Sequence, residues 1–167
     1  MGELGRQILR VDRDTLVADL VRAYADEWFA HYNFQFVANV LRGHRAPDLL
    51  EFLRRRTSEA FGRANRLAER IVELGAVPPS KLGELVERAT DKPFKFPESP
   101  GDVDGALRAV LDAERTSLRT YAALHERVAG KEPVTEALAA EFLAAAVHNE
   151  EAIERLIGDA APSMDGR

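Results

Sequence analysis

Apolar residues recur every three or four positions in four long stretches of this chain, the spacing that lays one apolar stripe along an α-helix. The first stretch puts Val17, Leu20, Tyr24, Glu27, His31, Phe34, Ala38 and Leu41 on one face. The second gives Leu53, Thr57, Ala60, Ala64, Leu67, Ile71 and Leu74, with Arg63 beside the stripe. The third gives Leu107, Val110, Leu111, Glu114, Leu118, Tyr121 and Val128, and the fourth Leu138, Phe142, Ala146, Asn149, Ile153 and Leu156. The expected class is all-α.

Glycine and proline set the boundaries. Asp12 or Asp14 can cap a helix over 14–42 that Gly43 stops; Pro47 opens a second, over 47–74, ended by Gly75 and Pro78-Pro79. The third helix is expected over 103–129, ending at Gly130, and the fourth over 134–157, ending at Gly158. The outer connections are short and join antiparallel neighbours. The middle one, 76–102, is long and proline-rich, with a short helix expected from Ser80 to Ala89. A connection of that length carries the chain back along the bundle, so the topology is an up-down-down-up four-helix bundle with one long crossover, a single domain over residues 1–167. Phe94 and Phe96 are expected to pin the crossover to the bundle.

The chain has no cysteine, which excludes disulfides and thiolate metal sites, and its net charge of -5 argues against nucleic acid as a main partner. Arg6 and Arg10 make only a weak basic tail, and Arg54-Arg55-Arg56 is expected to be a solvated helix face. Neither a signal peptide nor a membrane-length apolar run is present in the sequence, so the expected location is the cytoplasm.

The stripes carry an anomaly at mid-helix. Glu27, Arg63, Glu114 and Asn149 are expected at one depth, beside Ala60 and Ala146. A buried carboxylate must be protonated, ion-paired or metal-bound. Two glutamates from separate helices suit a carboxylate-bridged metal pair, and Arg63, whose guanidinium can fork across both, offers the other solution. Spacing leaves both open.

The segments AYADEWFAHYNFQFVANV, RANRLAERIVELGAVP, ERTSLRTY, KEPVTEALAAEFL and HNEEAIERL resemble the ferritin-like superfamily, in its bacterioferritin and Dps-like branch. The resemblance implies two irons, held by a Glu on the first helix, a Glu on the third, and a Glu-x-x-His pair on each of the others. Glu27 and Glu114 match the first two. The second-helix pair falls on Ala60 and Arg63 and the fourth-helix pair on Ala146 and Asn149, so four of six ligands are missing. The changes are coherent: alanine for glutamate frees space for Arg63, and Asn149 can donate to a carboxylate and accept from a guanidinium. Haem is not expected, since its methionine position falls on Phe61 and the only methionines are Met1 and Met164.

His31, one turn from Glu27, is the best substitute ligand, although a lone histidine on an apolar stripe is more often a hydrogen-bonded core residue. Glu59 and His148 lie about 100° around the helix from the ligand positions and are expected to point away. His44 and His125 do not converge with the others.

The first helix has a second apolar flank of Trp28, Phe29, Tyr32, Phe36, Val37 and Val40. A homodimer through the first and second helices is therefore expected, and the resemblance adds a larger shell. The leading expectation is a bundle that has lost ferroxidase activity, with no metal or other cofactor, and serves a structural, binding or regulatory role. One alternative is an active iron-storing ferroxidase that uses Glu27, Glu114 and a non-standard ligand such as His31. Another is an enzyme with Glu27 or Glu114 as a general base beside Arg63.

Overall fold

The computed structural model of the chain describes residues 7–90 and 94–160. Arg6 of the basic tail, Pro93 of the crossover, and Met1 and Met164 lie outside the described residues. Among the described residues five helices with defined bounds follow in order: α1 (Arg13–Val40), α2 (Pro47–Glu73), α3 (Leu82–Arg88), α4 (Val103–Val128) and α5 (Pro133–Ala160). The four long ones form the bundle and α3 sits within the crossover.

Local chemistry explains the boundaries. Asp12 caps α1 by accepting from the Thr15 amide at 2.8 Å, and Asp102 caps α4 by accepting from the Gly105 amide at 2.9 Å. Gly75, at φ +79°, ends α2 in a Schellman turn, with the Ala76 amide donating to the Ile71 carbonyl and the Gly75 amide to Val72. Gly158 does not end α5. It is absent from the left-handed glycines, and the helix continues through it to Ala160.

Contacts at the helix ends fix the directions. The Arg13 guanidinium, opening α1, donates to the Leu74 and Gly75 carbonyls that close α2, so these two helices run antiparallel. Asp19 near the start of α1 pairs with Arg127 near the end of α4, and Arg45, beyond the other end of α1, pairs with Asp104 at the start of α4. Arg70 near the end of α2 reaches Glu132 and Thr135 at the start of α5. α1 is thus antiparallel to α4 and α2 to α5, the up-down-down-up bundle expected from the loop lengths. Among the described residues no helix is long and apolar enough to cross a membrane.

The interior divides in two. One apolar cluster gathers Leu16, Leu20, Leu67, Ile71, Tyr121, Val128 and Phe142; the other gathers Phe34, Leu41, Leu49, Leu53, Val103, Val110 and Ile153. A buried polar layer separates them. The crossover is tied down as its aromatics suggest: Phe94 packs edge-on against Phe34, and Phe96 against Phe36.

Candidate metal centre

The polar layer is built from the middle turns of the four long helices. α1 contributes Glu27 and α4 contributes Glu114, both almost fully buried, where a lone carboxylate would cost several kcal/mol. The cation that meets them comes from α2, but it is Arg56. Its Nε donates to Glu114 Oε1 at 2.7 Å and its Nη1 to Glu27 Oε2 at 3.2 Å, with the whole residue 1 % exposed. Arg63, expected to span the two carboxylates, reaches only Glu27 Oε1, at 3.4 Å, and lies 3.8 Å from Glu59 on its own helix. Tyr121 completes the shell by donating its hydroxyl to Glu27 Oε1 at 2.7 Å.

The run Arg54-Arg55-Arg56 is therefore not one solvated face. Arg54 and Arg55 are exposed, and Arg56, a further 100° or so around the helix, turns inward. The signal was available: Arg56 directly precedes Thr57 of the buried stripe and stands one turn before Ala60, which leaves room for a long side chain above it. Tyr121, read as an apolar position, also supplies a hydrogen bond that spacing cannot report.

Asn149 joins a different part of the network. Its amide donates to Glu59 Oε2 at 3.3 Å and its carbonyl oxygen accepts from Arg55 Nη1 at 3.2 Å. It does bridge a carboxylate and a guanidinium, but neither Glu27 nor Arg63. Glu59 accordingly does not point away; it is half-buried at the edge of the layer, between Arg55, Arg63 and Asn149. Ala60 and Ala146 are fully buried beside it. His148 is exposed, as expected. His31 turns from the centre. Its Nδ1 lies 3.0 Å from the Thr57 carbonyl, and its ring rests against Trp28 and Phe61.

Burial pushes the Glu114 carboxyl above the ordinary glutamate range, against the pull of Arg56, and its second oxygen has no hydrogen-bond partner among the described residues. Burial works to lower the Arg56 guanidinium, but the charges of Glu114 and Glu27 outweigh it and hold that group above its ordinary value. Burial and the adjacent Glu27 keep the Tyr121 phenol well above its usual range, so it is a neutral donor.

These residues do not fit a pair of iron ions. The two glutamates are already engaged by protein donors, Glu114 by Arg56 and Glu27 by Arg56, Arg63 and the Tyr121 hydroxyl. The other four positions hold Ala60, Arg63, Ala146 and Asn149, which offer no carboxylate or imidazole. Among the described residues no three His, Cys, Asp or Glu side chains converge as a metal-binding group.

Comparison with known proteins places the architecture. A family model described as the ferritin-like domain matches residues 17–161. The chain is 26% identical over 160 residues to the DNA protection during starvation protein of Pyrococcus furiosus, covering 94% of this chain and 86% of that one. Among solved structures, a bacterioferritin-related protein from Bacteroides fragilis, described as a dodecameric thioferritin, superposes with a TM-score of 0.85 at 25% identity, covering 90% of this chain and 89% of that one. Dps from Listeria monocytogenes superposes with a TM-score of 0.77 at 20% identity, covering 86% and 93%.

Proposed function

The chain belongs to the ferritin-like domain family, and from that premise we propose that it is a Dps-type bundle whose ferroxidase centre has been exchanged for an ion-paired core. The observation that carries this reading is Arg56, buried between Glu27 and Glu114 and hydrogen-bonded to both. Two ferrous ions would bring four positive charges into a layer already balanced: Glu27, Glu59 and Glu114 stand among Arg55, Arg56 and Arg63. Iron could enter only by displacing the Arg56 guanidinium from both glutamates. The protein then acts as a structural, binding or regulatory bundle in the cytoplasm, without a resident metal or haem.

The test is direct. Ferrous iron mixed with the full chain in air is expected to oxidise no faster than in buffer alone, followed by ferric absorbance. Clearly faster oxidation, with iron retained by the protein, would overturn the reading.

Assembly belongs to the same proposal. Tyr32, Phe36 and Phe61 are large, exposed residues on α1 and α2, and the nearby Trp28 indole N–H is buried without an acceptor. An apolar surface of this kind favours association. We assign it to a homodimer that can build a larger shell, as the dodecameric description of the Bacteroides relative suggests. Tyr32→Glu with Phe61→Glu is expected to lower the mass measured by light scattering; an unchanged mass would rule this face out.

A further inference from the structure

A cavity of about 340 Å³ opens between α1 and α4 beneath the crossover and reaches down to Glu27 and Arg56. Its walls are Phe29, Ala30 and Phe34 from α1, Ala109 and Ala113 from α4, and Phe94 from the crossover. Its size is in the range of roughly 300–1,000 Å³ typical of small-molecule sites, which combine apolar walls with a few placed polar groups. The polar groups here are incomplete. Asn33 and Ser117, from opposite walls, are 8 % and 9 % exposed. Ser117 Oγ is buried with no hydrogen-bond partner among the described residues, and the Asn33 side chain, which lines the cavity, makes no hydrogen bond to those residues. Arg56 spends Nε and Nη1 on the two glutamates, and its Nη2 makes no hydrogen bond among the described residues.

Buried polar side chains are nearly always satisfied, and among the described residues Ser117 Oγ is buried without a partner; with Asn33 and Arg56 also lining the cavity, it offers placed polar groups that point to a missing partner. We propose that this cavity binds an uncharged, planar ring compound bearing an amide-type edge, with its carbonyl toward Arg56 and Ser117 and its N–H toward the Asn33 carbonyl oxygen. The ring lies among Phe29, Phe34 and Phe94. A carboxamide and a hydroxyl each donate and accept, and an amide is the simplest group that answers both. The head is neutral because the glutamates and arginines of the layer already balance, and a further charge there would be buried without a counterion. The mouth is mixed, with Lys95 and Arg119 beside Asp26 and Asp112, and selects neither sign.

The inference rests on the guanidinium reading of the centre, because Arg56 forms the cavity floor. The probe is benzamide, titrated into the full chain by calorimetry, with benzoate and toluene as comparisons. Saturable binding of one benzamide per chain is expected, tighter than either comparison. Ser117→Ala and Asn33→Ala should each weaken it about three- to tenfold, the value of a single neutral hydrogen bond. Ala113→Phe, which fills the cavity and leaves its polar floor in place, should abolish it even if an Asn33 variant fails to fold. No saturable binding, binding as tight for toluene as for benzamide, or indifference to all three substitutions would each overturn the proposal. Ferrous binding is measured on the same samples. Iron uptake with loss of benzamide binding would count against the ion-paired centre, whereas absence of both would count against the cavity alone.

Discussion

Replacing Arg56 with alanine is expected to lower the unfolding free energy by about 3–5 kcal/mol at neutral pH, the cost of leaving buried carboxylates without their cation. The size follows from burial: Arg56 is 1 % exposed, Glu27 2 % and Glu114 0 %, so little water reaches the carboxylates to take over the role of the guanidinium. Arg63→Ala should cost less, because Glu27 would keep Arg56 and the Tyr121 hydroxyl. The loss should also depend on pH. Burial already holds the Glu114 carboxyl above its ordinary value of 4.5, and removing its main cation raises it further. A carboxyl raised in the folded state contributes stability while it is protonated and loses that contribution as pH rises through its folded value. The deficit of the variant is therefore smallest near 4.5 and grows toward neutrality. Urea unfolding across that range measures it. Arg56→Met combined with Glu27→Gln and Glu114→Gln should recover most of the stability, since no charge is then stranded. A loss below about 1 kcal/mol at neutral pH, the level of an exposed ion pair, would mean that Arg56 is solvated in solution.

The bundle was legible because its evidence is one-dimensional. Helical stripes, the glycines at 43, 75 and 130, and a crossover too long for a hairpin all lie in the order of residues, and each has a local physical consequence. The chemistry of the centre was half legible. Glu27 and Glu114 stand out because a carboxylate inside an apolar stripe demands a partner. Which arginine answers is a question of reach. Arg63 falls where the resemblance places a metal ligand and its side chain does enter the layer, but a long, flexible side chain starting a turn or more away can serve a point better than one starting beside it. Arg56 starts two turns before Arg63 and one turn before the small Ala60. Periodicity marks where a Cβ points and says nothing about the end of a six-bond side chain. The same limit hid the Glu59–Asn149–Arg55 chain of contacts at the edge of the layer.

That distinction changes what should rebuild a metal site. Positional matching alone nominates Ala60→Glu, Arg63→His, Ala146→Glu and Asn149→His, which restore the six-ligand pattern on the sequence. Ala60 and Ala146 are fully buried within the polar layer, so carboxylates introduced there would face inward. With Arg56 still bound to Glu27 and Glu114, however, the two glutamates remain occupied. The fourfold variant is therefore expected to bind divalent metal weakly, and addition of Arg56→Ala to give site stoichiometry of about two ions per chain. Without metal the fivefold variant leaves four carboxylates and no buried arginine in the central layer, so its folding should become metal-dependent. A large rise in melting temperature on adding zinc or cobalt, with ferrous oxidation then exceeding the buffer rate, is the expected result. The fourfold variant should show a much smaller response. If the fivefold variant folds yet takes up no metal, the matching of helix positions is wrong. If the fourfold variant binds just as tightly, the guanidinium does not hold the centre, and the case for lost iron chemistry goes with it.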